Sequence, residues 1–412
     1  MKIGFFVGDF PLLSQQFIVS QIVGLMRRGH DIEIDALSRR QADTEMGVEF
    51  EKFGVIERTK FSGEIPRAWS ARTWSALNLI GHWGWRQPAA VLGSVNFLRH
   101  RKRALNLVQI HEQFPKATNR RLFDIIHCHF GPHGQRALFL RDIGAVHGPI
   151  ITSFHGYDVN SLPRSYGMNI YRKLFQKTEL FTAGSNFMRD RLISLGAPAD
   201  RTIVLPLGVD LSRFEFQSAP SHSQDIELIT VARLVEVKGI EFALRAVALA
   251  RNELSNLHYT VIGDGPLRSQ LESLTRQLNI QSVVTFKGAR SQDEVARALT
   301  KAQIFVFPGI VTASGEEEGQ GLAIAEAQAC GVPVLTTPVG GIPESVCDGQ
   351  TAILVPPGNP AAMAASIINL AKNPNRRAYL SQNGRALVQT KFNLETQTDR
   401  LIKIYECVSN NN

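Results

Sequence analysis

Gly315-Glu316-Glu317-Glu318-Gly319-Gln320-Gly321-Leu322-Ala323-Ile324-Ala325-Glu326-Ala327-Gln328-Ala329-Cys330-Gly331 follows a short apolar run, Ile304 to Phe307. The run reads as a buried strand, and Leu322 to Cys330, rich in Ala and Leu, reads as a helix. Three carboxylates and three glycines therefore sit at a strand-to-helix crossing, the place where α/β proteins hold ligands. Glu326 comes just over two helical turns after Glu318, so one pocket is within reach of both. Gly319 and Gly321 add no side-chain bulk, and the free N–H groups and positive dipole end of a helix start suit a phosphate. A plainer reading competes: Glu316 to Glu318 as a solvated charge run and Glu326 as a helix-surface residue.

A second constellation lies upstream. Ile226 to Val231 is β-branched and apolar, Ala232 to Gly239 carries Arg233 and Lys238, and Ile240 to Leu249 has apolar residues at helical spacing. Strand, loop and helix are thus repeated, this time with two cations in the loop. A guanidinium grips a phosphate through paired N–H bonds, and an ammonium adds a compact charge. Cations with a helix N-terminus answer a diphosphate, and carboxylates answer sugar or ribose hydroxyls.

Glu318-Gly319 with Glu326-Ala327, followed by Ala329-Cys330-Gly331-Val332-Pro333-Val334 and Gly340-Gly341-Ile342-Pro343-Glu344, resembles the donor site of glycosyltransferase family 4. Its members are retaining nucleotide-sugar transferases of GT-B fold: two doubly wound, Rossmann-like α/β domains facing a cleft. Arg233 and Lys238 match the family's diphosphate-binding pair, and Gly208-Val209-Asp210 with Arg213-Phe214 matches its interdomain segment. The resemblance covers most of the chain and is strongest from Ile150 to Pro357. Phe10-Pro11, Ser14 and Gln16-Phe17-Ile18 look like the exopolysaccharide branch, including colanic acid synthesis. One departure stands out: Gly321 occupies a position that is Pro in many members.

The resemblance implies that His155, in Phe154-His155-Gly156-Tyr157-Asp158, lines the reaction centre and orients the donor sugar rather than acting as a base. A lone His is otherwise more often structural, and Asp158 reads equally well as the cap of a following turn. It also implies that Glu318 holds donor-sugar hydroxyls and Glu326 the ribose, with Gly319, Gln320, Gly321, Leu322 and Gly263 bordering the donor. Gly263-Asp264-Gly265-Pro266 lacks the third glycine of a dinucleotide fingerprint, which argues against a dehydrogenase. The implied reaction moves a sugar from a nucleotide-diphosphate donor to a saccharide or lipid-linked acceptor in polysaccharide or glycoconjugate synthesis. No cofactor and no metal is expected, since Arg233 and Lys238 neutralise the diphosphate and no Asp-x-Asp motif occurs. A nucleotide-sugar epimerase of the same fold and a non-catalytic nucleotide-sugar-binding scaffold stay open as alternatives.

The chain has 412 residues with 44% hydrophobic and 20% charged, which suits two globular domains and excludes disorder or a fibre. There is no apolar run long enough to span a membrane. Met1 to Val7 reads as a first strand rather than a signal peptide, and the scattered Cys128, Cys330, Cys347 and Cys407 suit reduced thiols, so the cytoplasm is the expected location. His127, His129 and His133 cluster around Cys128 but lack carboxylate partners at ligand spacing, so no metal site is read there.

The formal charge of +8 is concentrated. From Lys60 to Arg121 eleven basic residues face only Glu64 and Glu112, and the four tryptophans, Trp69, Trp74, Trp83 and Trp85, lie in the same stretch. This composition points to peripheral contact with an anionic membrane, at the inner face of the cell membrane, although tryptophans buried in a helical insert with a wet basic face would give the same composition. Nucleic acid is a poorer fit, because no binding motif accompanies the charge.

Alternating strand and helix signals divide the chain into an N-terminal acceptor-side domain, 1–205, interrupted by the basic insert 60–121, and a donor domain, 206–390. Pro206 to Gln224 reads as a linker. A terminal helix, 391–412, is expected to pack back on the first domain, as the resemblance implies.

Overall fold

The computed structural model describes residues 1–40, 48–62, 68–83, 121–217 and 225–410. Most of the basic insert, including Trp85 and the side chain of Trp83, falls outside these residues.

The N-terminal strands are β1 (Lys2–Phe10), β2 (Asp31–Arg39), β3 (Thr59–Phe61), β4 (Arg121–Leu122), β5 (Ile125–His129), β6 (Val146–His147), β7 (Ile150–Phe154), β8 (Leu180–Ala183) and β9 (Thr202–Val204). Seven of them form one sheet in the order β3-β2-β1-β5-β7-β8-β9, and β4 pairs with β6 separately. The second series is β10 (Ile226–Val231), β11 (Leu257–Ile262), β12 (Val284–Gly288), β13 (Ile304–Phe307), β14 (Val334–Thr336) and β15 (Ala352–Leu354), ordered β12-β11-β10-β13-β14-β15. Every pairing is parallel. Parallel sheets are covered on both faces, which is why a central strand such as β13, Ile-Phe-Val-Phe, reads as a continuous apolar run. In β13, Ile304 and Val306 enter one core and Phe305 and Phe307 the other.

Each sheet winds outward from its first strand and then returns to that strand's other side. The switch points fall between β1 and β5 and between β10 and β13. Loops at the carboxyl ends of such strands form a binding crevice. They are 232–239 after β10 and 308–321 after β13.

The domains are tied behind the crevice. Val209 bridges to Asn393, its N–H donating to Phe392 O at 2.7 Å, so Pro206 to Gln217 is a packed crossing and not a free tether. Residues 218–224 of the expected linker lie outside the described residues. The terminal helix Leu394–Asn410 buries Leu401 and Tyr405 in the N-terminal core, and Tyr405 Oη lies 2.5 Å from His127 Nδ1. No described helix is long and apolar enough to cross a membrane. On the helix Trp69–Trp83, Ala76 packs inward while Trp69 and Trp74 are 64% and 69% exposed, so these two indoles are not core residues.

Candidate active site in the interdomain cleft

Gly239 adopts φ 60°, and a Cβ there would lie 2.1 Å from Pro308 O, so only glycine lets the cationic loop seat on the end of β13. Gly263 (φ 136°) braces the same loop from β11, where a Cβ would meet Ala232 O at 1.8 Å. This seating brings Lys238 to Glu318. The ammonium donates to Glu318 Oε2, and the two side chains are 16% and 13% exposed. Glu318 Oε1 accepts from Gly319 N at 3.0 Å and Gly321 N at 3.3 Å. Burial alone would raise this carboxyl, but Lys238 and the N–H groups of Gln320 and Gly319 outweigh it and hold Glu318 below the usual range. Gly321, in the left-handed region at φ 75°, opens the helix Leu322–Ala329. The amide array read as a phosphate cradle is therefore engaged by a carboxylate of its own loop.

Glu326 is buried one face along that helix, and burial, opposed by Arg213, pushes its carboxyl up to about 8. Arg213 is itself held by Asp293 at 2.9 Å. Leu322 is half-buried and packs on the second core. Arg233, on the loop of Lys238, is exposed and its side chain has no hydrogen-bond or ion-pair partner among the described residues. The Gln320 side chain bridges the domains, accepting from Leu207 N at 2.9 Å and donating to Leu207 O at 3.1 Å.

Nor is the acidic run a solvated one. Ser161 donates to Glu316, Asn160 Nδ2 to Glu317 O at 3.3 Å, and Arg164 and Arg191 to Gly315 O at 2.9 and 3.3 Å. Ser185 Oγ donates to Gly319 O at 2.6 Å. Glu344 reaches the other way: its carboxylate accepts from the N–H groups of Asn186 and Phe187, both at 2.8 Å, at the start of the helix Asn186–Ser194. The loop is thus gripped by both domains.

His155 follows β7 and lies half-buried against Phe17 and Phe130, with ring centroids 4.8 Å away in each case. A Cβ on Gly319 would sit 3.6 Å from His155 O, so the acidic loop abuts this residue. Burial pushes the imidazole down to about 3, leaving it neutral. Its Nε2 lies 3.0 Å from Nδ1 of His129. Asp158 is fully buried in the first turn of the helix Tyr157–Tyr166 and accepts from the N–H groups of Gly131, His155 and Gly156 at 2.9, 3.0 and 3.1 Å, all ahead of it in the chain, so it ties down the preceding loop and does not cap a following turn.

Sequence reasoning passed over Arg191, Ser185 and His129 as site residues. For His129 a signal was present: His127 and His129 alternate on a strand whose carboxyl end faces the crevice.

Two doubly wound domains facing a crevice, with the loops after β10 and β13 side by side at its edge, are an architecture found among glycosyltransferases, and comparison with known proteins gives the class. Family models described as Glycosyltransferase Family 4 and Glycosyl transferases group 1 match residues 15–213 and 212–387. The chain belongs to glycosyltransferase family 4, and it is 32% identical over 382 residues to WcaL of Salmonella typhimurium, named as a colanic acid biosynthesis glycosyltransferase, covering 90% of this chain and 91% of that one. The amylovoran biosynthesis glycosyltransferase AmsK of Erwinia amylovora is 27% identical over 435 residues, covering 98% and 99%. Among solved structures, HepE of Anabaena in complex with UDP and glucose aligns with a TM-score of 0.70 at 16% identity, covering 99% and 100%. Sucrose-phosphate synthase from Thermosynechococcus elongatus aligns with a TM-score of 0.70 at 18% identity, covering all of both chains. The fold is GT-B.

Proposed function

We propose that this enzyme transfers a sugar from a nucleoside diphosphate to a hydroxyl of a saccharide or lipid-linked saccharide, with retention at the anomeric carbon, in exopolysaccharide synthesis. The observation that carries this reading is the meeting of Lys238 with Glu318 and the amides of Gly319 and Gly321 where two strand-to-helix loops converge beside His155. Such a cluster is built to hold an anion opposite hydroxyls. When the donor binds, its diphosphate takes Lys238 and the amides, and Arg233, exposed and unengaged, closes on it. Glu318, released, accepts from sugar hydroxyls, and Glu326 holds the ribose.

As the bond from the anomeric carbon to the phosphate oxygen breaks, charge grows on the departing diphosphate. Preorganised cations and amides stabilise it. The acceptor oxygen bonds to the same face of the anomeric carbon, and its proton passes to the departing phosphate oxygen, so no protein base is needed. The neutral His155 orients the donor sugar. Arg233 and Lys238 take the neutralising role for which other transferases use a metal ion. The exposed Trp69 and Trp74, in a strongly basic stretch, support contact with an anionic membrane where a lipid-linked acceptor resides.

The test is nucleoside diphosphate release by the full chain on a panel of nucleotide sugars, with and without polysaccharide-repeat acceptors. Acceptor-dependent release with a retained anomeric configuration is expected. An isomerised sugar nucleotide formed without acceptor would make the protein an epimerase, and binding with no turnover on any acceptor a scaffold. An inverted product would overturn retention.

A further inference from the structure

We infer that His129 is a positioning residue for this reaction: it fixes His155 as the tautomer protonated on Nδ1, so that the ring offers the cleft an N–H donor and not a lone pair. The inference rests on the reading of His155 as a donor-site residue.

His129 ends β5 and lies opposite Ser153 in the register with β7, so the imidazole just past the end of β7 stacks on it. The rings are 5.2 Å apart and 14° from parallel, and His129 Nδ1 is 3.0 Å from His155 Nε2. Burial holds both imidazoles neutral. Between two neutral rings only one of the facing nitrogens carries the hydrogen.

The surroundings of His129 decide which. Its Nε2 is buried with no hydrogen-bond partner among the described residues. Phe5 stacks on the ring at 5.7 Å and Phe17 lies edge-on at 6.1 Å. His127, 4.5 Å away, has Nδ1 engaged by Tyr405 and Nε2 by Ser153. If His155 were the donor, the proton of His129 would sit on Nε2, stranding a buried N–H. With His129 Nδ1–H as donor, only a bare acceptor is left unpaired, which protein interiors tolerate better. His155 then carries its hydrogen on Nδ1. An N–H suits a sugar hydroxyl or phosphate oxygen, whereas a free lone pair would suit a base.

The long-range 15N–1H spectrum of the histidine-labelled full chain reads the tautomer directly. His155 is expected with its proton on Nδ1. His129→Phe keeps a stacking ring and removes the donor, whereas His129→Asn returns an N–H near the original Nδ1. The Phe variant should lose about tenfold or more in kcat/KM for the donor and shift His155 toward the other tautomer, while the Asn variant recovers most of both. Protonation of His155 on Nε2 in the unaltered protein overturns the inference, as do equal losses in the two variants with an unmoved His155 signal. His155→Ala tests the underlying reading separately: full turnover there removes His155 from the site, whatever its tautomer.

Discussion

Replacing Lys238 with Met keeps an unbranched stem of similar size but strips the counterion from a largely buried carboxylate, together with the ammonium that lies 5.2 Å from the centroid of the Phe307 ring. Glu318 would retain its bonds from Gly319 and Gly321 at 3.0 and 3.3 Å. Breaking a fully buried ion pair costs about 3–5 kcal/mol, but one charge-assisted hydrogen bond contributes about 1.5–3. With the amides still in place, a loss of about 2 kcal/mol follows, or roughly 4–8 °C in the melting of a domain of about 200 residues. Turnover should fall further, since loss of one preorganised donor to a developing anion costs about 3 kcal/mol, on the order of a hundredfold. The double variant Lys238→Met/Glu318→Gln separates the effects. Removing the stranded charge returns most of the lost stability, and activity stays low because the diphosphate has lost its cation. Thermal melting by circular dichroism and donor-dependent nucleoside diphosphate release measure the two. An unchanged melt with turnover within about threefold of the parent would refute the electrostatic role of Lys238, and a double variant no more stable than the single one would refute the pairing argument.

Glu326 gives a pH signature. Its carboxyl is raised from 4.5 to about 8 by burial, so the folded state holds the proton more tightly than the unfolded chain, and this contribution is complete below about pH 4.5 and declines as pH rises toward about 8. Glu326→Gln should therefore lose less melting temperature than the parent between about pH 5 and 8, and parallel profiles would contradict the assignment. Glu344→Ala removes the carboxylate that caps the helix Asn186–Ser194 from the other domain, so about 1 kcal/mol of stability and some donor affinity should go together; unchanged melting and unchanged donor KM would count against an interdomain clasp. Flotation with vesicles rich in anionic lipid should carry the chain, and Trp69→Ala/Trp74→Ala should weaken this; equal flotation with neutral lipid and with the variant would remove the membrane proposal.

Much of the architecture was legible because parallel strands buried on both faces leave apolar runs, unbroken in Ile304 to Phe307 and interrupted only at Glu227 and Thr230 in Ile226 to Val231. The short edge strand β3 escaped notice, since Thr-Lys-Phe carries little apolar signal. The meeting of Lys238 with Glu318 followed from two repeated strand-loop-helix units, because neighbouring strands β10 and β13 bring their loops together. What remained hidden depended on the other domain. Nothing local tells that Gln320 reaches Leu207, that Glu344 caps a helix in the other sheet domain, or that Glu316 and Glu317 are gripped by Ser161, Asn160 and Arg191. A charge run looks the same in sequence whether it meets water or the far wall of a cleft.

That grip limits how the enzyme can be recombined. A chimera joining the first half of one relative to the second half of another inherits a loop whose hydroxyl, amide and guanidinium partners come from a different parent. Unless residues 160, 161, 164, 185 and 191 travel with the segment 315–321, the hybrid would misplace the very hinge of its chemistry, even with both halves perfectly folded. Exchange of specificity between such transferases is then easier by editing cleft side chains than by swapping whole modules.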